Sequence, residues 1–131
     1  MTEYLLDTTV LIQQFRGSPR VRAWIAAAIA EDHALETTPV NVAEVMARAH
    51  PNEEPYWEAV FGALTIPALS AEHGARAGAL QFQLARRGFT LNTADGLIAA
   101  VAAERDLTLV TANTKDFLET GIHLLPLDGD A

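Results

Sequence analysis

The sequence predicts an α/β fold with a mainly parallel central sheet. Short apolar runs read as buried strands, and segments with helical apolar spacing separate them, the alternation that builds βαβ units. The chain has 131 residues, half of them hydrophobic, enough for one domain spanning 1–131 with a real core and short for two.

The elements follow in order. Residues 4–6 (YLL) read as a short buried strand, and 8–15 start a helix that Gly17, Ser18 and Pro19 end. Val21, Trp24, Ile25, Ala28 and Ile29 fall at i, i+3, i+4 spacing and predict an amphipathic helix. A second strand is expected at 34–37, then a helix at 41–50 stopped by Pro51. Pro55, Tyr56, Val60 and Leu64 mark another helix with an apolar stripe, and 64–69 reads as strand and turn. Ser70 caps a long helix that Arg86, Arg87 and Gly88 close. The segment 93–105 is helical and apolar almost all round, so it belongs inside. A strongly apolar strand at 107–110, a short helix near 115–119, a last strand at 122–125 and a loose tail at 128–131 complete the chain.

Composition excludes several classes. There is no cysteine, which removes disulfides and thiolate metal sites and fits a reducing, cytoplasmic location. The histidines His33, His50, His73 and His123 show no HExxH spacing, so a zinc site is not expected. No apolar stretch approaches the roughly 20 residues of a membrane span, and the first residues lack a basic leader. A net charge of −8 argues against broad nucleic-acid binding through a basic face, although bound metal ions and a local arginine patch can reverse the potential at one site. Neither GxGxxG nor a GK[ST] loop occurs, and Ser18 and Ser70 lie outside any GxSxG. Thr9 stands where a haloacid-dehalogenase-like phosphatase needs a second Asp. A phosphoacceptor signalling domain wants a second acid beside Asp7 and an Asp after a central strand, which LTIPAL at 64–69 does not supply.

The acids carry the chemistry. Asp7 interrupts the apolar run YLLDTTVLI, and an ionised carboxylate taken from water costs several kcal/mol unless something pairs with it. Asp7 ends the first strand, Glu44 lies in the first turn of the helix after the second, Asp95 lies in the first turn of the apolar helix, and Asp116 follows the strand at 107–110. Parallel sheets bind ligands beyond the carboxyl ends of their strands, where these four acids converge. Like charges at close range raise one another's pKa. A divalent cation relieves the conflict, and oxygen ligands without Cys or paired His favour Mg²⁺ or Mn²⁺. Each acid also has a purely structural reading. Asn41-Val-Ala-Glu44 and Asn113-Thr-Lys-Asp116 match capping boxes, Glu44 and Arg48 form an i, i+4 pair, Asp95 complements a helix dipole, and Asp7 caps its own helix.

LLDTTVLI at 5–12, NVAEV at 41–45, TADGLIAA at 93–100 and LVTANTKDF at 109–117 resemble, in order and spacing, the motifs of PIN-domain ribonucleases. Nearly the whole chain is covered, and the likeness is to the VapC-type toxins of bacterial toxin–antitoxin pairs. The resemblance implies a three-layer α/β/α sandwich and a Mg²⁺- or Mn²⁺-dependent endoribonuclease. It makes Asp7, Glu44 and Asp95 the core acids, with Asp7 and Asp95 as direct metal ligands and Glu44 orienting water or acting through the metal. Either Asn113 or Asp116 fills a fourth position, and Thr9 and Thr111 are support residues. In-line attack of water on an RNA phosphodiester, leaving a 5′-phosphate and a 3′-hydroxyl, is the implied reaction. The implied partners are an RNA substrate, a VapB-like antitoxin and a second copy in a homodimer.

Arg16, Arg20 and Arg22 cluster near the end of the first helix, and Arg86 with Arg87 ends another. They are candidate RNA phosphate contacts, or solvated residues at helix carboxyl ends. Trp24, Tyr56, Trp57 and Phe61 either line a groove for the antitoxin or belong to the core. The non-enzymatic rival is a catalytically weak PIN fold that only binds an antitoxin, and retention of all three core acids weighs against it.

Overall fold

The computed structural model describes residues 3–129. Four strands, β1 (Glu3–Leu6), β2 (Ala34–Glu36), β3 (Thr108–Thr111) and β4 (His123–Pro126), form one sheet in the order β2-β1-β3-β4, parallel at every pairing. Six α-helices accompany them: α1 (Thr8–Phe15), α2 (Pro19–Ala30), α3 (Pro39–Met46), α4 (Glu54–Ala63), α5 (Ala71–Arg86) and α6 (Thr93–Glu104). Alternation along the strands divides the core into two layers. Leu6 and Val110 point to one face, where they meet Val10, Leu11, Val21, Val45 and Trp57. Leu5 and Leu109 point to the other and pack on Ile98, Val101 and Ala102 of α6. Helix α5 covers α6 from outside, and Gly96 permits the approach, since a β-carbon there would stand 3.3 Å from that of Ala77. The result is the expected three-layer sandwich.

Helix ends follow local chemistry. Ser18 accepts from the Val21 N–H with Pro19 at the first helical position, and Asn92 accepts from the Asp95 N–H. Ser70 opens α5 in a capping box whose third residue is His73: its Nδ1 accepts from the Ser70 N–H while Nε2 reaches Glu104 at 2.9 Å. Left-handed Gly17 and Gly88, with φ of 85° each, turn the chain after α1 and α5.

Several expectations are corrected. Helix α3 begins at Pro39 and ends at Met46, because Thr38 caps it and Pro39 presets its first turn. The capping box is therefore Thr38 with Asn41, not Asn41 with Glu44, and no Glu44–Arg48 ion pair forms among the described residues. Asn113 makes no side-chain cap; two 3₁₀ turns, Thr114–Asp116 and Leu118–Thr120, replace the short helix. The segment 64–69 contributes one bridge, Thr65 to Glu36, since Pro67 has no N–H to extend a ladder. Asp128 and Gly129 lie against Gln13, so the tail does not start at 128; residues 130–131 lie outside the described residues.

Candidate active site

The switch in strand order falls between β1, which connects outward to β2, and β3 on its other side; in open parallel sheets the ligand crevice lies beyond the carboxyl ends of the strands at such a point. Asp7 stands at this point. Its N–H donates to the Val110 carbonyl at 3.0 Å, the last bond of the sheet, and its carbonyl accepts from the Leu11 N–H as the first bond of α1. Held on both sides, the residue has little freedom, and its side chain is only 6% exposed.

The carboxylate of Asp7 does not cap α1 through its side chain; it has other partners. Thr111, ending β3, donates to Oδ2 at 2.7 Å, and the Asn41 Nδ2 donates to Oδ1 at 3.1 Å. Burial pushes the Asp7 carboxyl above its usual range, the Thr111 hydroxyl and the Thr8 backbone pull it down, and the charge of Glu44 raises it.

Glu44 lies in the sixth position of α3, which packs on α1. Thr8 donates to its Oε1 at 2.6 Å. Fully buried Asn41 organises this side: Oδ1 accepts from the Thr38 hydroxyl and N–H, while Nδ2 donates to both Asp7 and the Thr8 hydroxyl at 3.0 Å. One amide thus links the cap of α3, the acid of β1 and the hydroxyl that holds Glu44.

Asp95 is the third residue of α6, half-buried at the rim of the crevice. Its pKa is pushed up to about 6, first by burial and then by the charges of Asp116, Asp7 and Glu44, against a lowering hydrogen bond from Asn92. Four carboxylates from β1, α3, α6 and the turn after β3 therefore act on one another. Asp116 is exposed and contributes the largest of these charge effects. Asn113 is anchored by its backbone, whose N–H donates to the Thr111 hydroxyl at 2.9 Å. Thr9 accepts from the Ala112 N–H at 3.1 Å and so ties the same turn to the start of α1.

Among the described residues, no group of three or more His, Asp or Glu side chains has the spacing to hold one ion directly. The donors present are carboxylate oxygens, hard ligands of which a hydrated ion takes only one or two directly. That is how Mg²⁺ is ordinarily held, and the mutual repulsion around Asp95 is what a cation relieves, so the residues fit such an ion.

The family model described as PIN domain matches residues 4–122. The chain belongs to the PIN-domain family. It is similar to Ribonuclease VapC19 of Mycobacterium tuberculosis, 30% identical over 116 residues that cover 86% of this chain and 90% of that protein. Its fold is that of the VapBC2 complex from Rickettsia felis bound to a promoter DNA fragment, with a TM-score of 0.83, 22% identity, and coverage of 97% of this chain and 100% of that one. DNA-bound VapBC from Salmonella typhimurium is similar too, with a TM-score of 0.81, 21% identity, and coverage of 96% and 98%.

The PIN domain does not gather all five candidate arginines at the crevice. Arg22 folds back so that Nε donates to the Gln14 carbonyl, and its guanidinium covers Gly17. Arg86 lies over Phe82, and Arg87 pairs with Glu119 at 2.9 Å. Arg20 sits in the first turn of α2, and Arg16 follows the last turn of α1. The aromatics divide: Trp57 is buried among Phe15, Tyr56 and Phe61, whereas Tyr56 also lines a groove of about 540 Å³ with Leu11, Ile25, Ile29, Val60 and Leu64. Asn41 and Thr8 are site residues that the sequence reading missed. The available signals were Pro39, which marks where α3 starts, and the hydroxyl immediately after Asp7.

Proposed function

We propose that this PIN domain is a metal-dependent endoribonuclease and the toxin of a VapBC-type pair, acting as a single domain in the cytoplasm. The observation that carries the reading is the gathering of Asp7, Glu44, Asp95 and Asp116 from four elements, so that burial first and then the charges of Asp116, Asp7 and Glu44 raise the Asp95 pKa, a cost that a cation relieves. The similarity to a VapC ribonuclease supports the substrate class.

Asp7 and Asp95 would hold Mg²⁺ or Mn²⁺, and Asp116 adds negative charge beside Asp95. When bound, the ion supplies a water of lowered pKa and neutralises charge on the leaving oxygen. Asn41 and Thr111 fix the Asp7 carboxylate by donating one to each oxygen. Glu44, positioned by Thr8, orients the attacking water. Thr9 and Thr111 hold the turn that presents Asn113 and Asp116.

The partner chemistry follows the same reading. The structural neighbours include VapBC complexes, and the groove between α1, α2 and α4 suits an apolar antitoxin segment; a homodimer of toxins completes the assembly. The test is cleavage of RNA with Mg²⁺ or Mn²⁺. Cleavage should stop with EDTA and fall by orders of magnitude in Asp7→Asn and Asp95→Asn; cleavage unaltered by both substitutions would refute the reading.

A further inference from the structure

Away from the carboxylates, a cavity of about 150 Å³ at the carboxyl ends of α1 and α3 is lined by both Arg16 and Arg48. Neither guanidinium meets a partner among the described residues, although the chain carries eight more negative than positive charges. The one acid in the wall is already engaged: Glu53 accepts from the Trp57 indole N–H at 3.2 Å and from the His50 N–H at 3.1 Å. Phe15, Val45 and Trp57 form the remaining floor. Two exposed like-charged planar groups line one small space, and its one carboxylate already accepts from Trp57 and His50; an added anion suits them, and the guanidinium fork matches a phosphate by parallel hydrogen bonds.

The position relative to the acids identifies which phosphate. Arg16 is the C-cap of α1, nine residues after Asp7 at its N-cap and so roughly 13 Å away at ~1.5 Å per residue, and Arg48 lies in the turn just beyond α3, four residues after Glu44. The two helices that lead into the arginines are α1, which starts at Asp7, and α3, which carries Glu44. A strand seated on the acids can run along them to the arginines within a few nucleotides, at ~3.4 Å per nucleotide when stacked and more when extended.

We propose that Arg16 and Arg48 form a backbone-phosphate subsite that grips single-stranded RNA a few nucleotides from the bond to be cleaved. The inference rests on the ribonuclease reading above. A carboxylate of the antitoxin could meet the same two groups, but it has no reason to keep register with the acids, whereas a polynucleotide must.

The test separates the two readings. Binding of a fluorescent mixed-sequence single-stranded RNA is measured by anisotropy in EDTA over a range of salt, for wild type, for Arg16→Ala with Arg48→Ala, and for Arg16→Lys with Arg48→Lys. Thermal melting establishes that each variant is folded. The alanine pair should weaken binding severalfold and flatten the slope of log affinity against log salt by about 0.7, the value for one single-strand phosphate contact; KM for cleavage should rise. The lysine pair, which keeps the charge, should retain the slope, so a loss there equal to that of alanine would overturn the subsite. Unchanged affinity and slope in the alanine pair would overturn it as well, even with a fully active enzyme. Loss of antitoxin binding with RNA binding intact would reassign the cleft to a protein carboxylate and overturn the proposal. If wild type cleaves no RNA yet the slope falls as stated, the phosphate subsite stands and the ribonuclease reading fails.

Discussion

Replacing Asp95 by asparagine should stabilise the cation-free protein while destroying its activity. The folded carboxyl titrates at about 6 against an ordinary value of 3.8, so the folded state disfavours its charge. Moving a carboxyl that far corresponds to about 3 kcal/mol at ~1.36 kcal/mol per pH unit. The side chain is only half-buried, and solvent screening brings this to roughly 1.5–2 kcal/mol. Asparagine also forgoes a favourable charge in the first turn of α6, worth ~0.3–1 kcal/mol. The net gain is about 1 kcal/mol at pH 7, or ~4 °C in Tm for a chain of this size. The pH dependence fixes the cause. Below about pH 4 the proton is on Asp95 in both folded and unfolded states, and the penalty vanishes; it grows as the pH rises from 4 to 6 and is complete above. Thermal melting in EDTA at pH 4 and pH 7 therefore decides the matter. A stabilisation equal at both pH values, or a loss at pH 7, would refute the electrostatic reasoning. Added Mn²⁺ should reverse the order by stabilising wild type and not the variant.

Two further outcomes follow from the hydrogen-bond network. Thr111→Val removes the 2.7 Å donor to Asp7 and should cost about 1–3 kcal/mol in denaturant unfolding; because that donor lowers the Asp7 pKa, the acid limb of the pH–rate profile should move to higher pH. Arg105→Ala strands Glu36, which is 3% exposed and receives two guanidinium bonds at 2.7 and 3.1 Å. Breaking such a pair costs ~3–5 kcal/mol when fully buried, and partial exposure of Arg105 reduces this to about 2–4 kcal/mol, with no change in cation affinity.

The legible parts of the sequence were those where one residue violates its surroundings. Asp7 sits between apolar runs, and nothing but a polar junction explains it; the structure places it just after β1, where Thr111, Asn41 and Thr9 donate to its carboxylate. The strands at 4–6 and 107–110 and the all-apolar helix α6 were legible because burial on both sides leaves no alternation to misread. The start of α3 was not, because Asn41 and Glu44 have capping-box spacing while Thr38 and Asn41 have it too. Thr38 prevails because Pro39 can only occupy a first turn. That shift frees the Asn41 amide to reach Asp7 and Thr8, a long-range pairing that no local pattern announces. The arginines were the least legible: five were flagged by clustering, but whether a guanidinium turns to Gln14, Glu119 or open space depends on tertiary neighbours.

Acids far apart in the sequence crowd one crevice in order to share a cation. Calorimetric titration of Mn²⁺ into the protein at pH 6, repeated in buffers of different ionisation enthalpy, tests this directly. One ion per chain should bind with release of a fraction of a proton, because half-protonated Asp95 must ionise, and binding should be lost in Asp7→Asn and weakened in Asp95→Asn. Absence of binding, or binding indifferent to both substitutions, would contradict it.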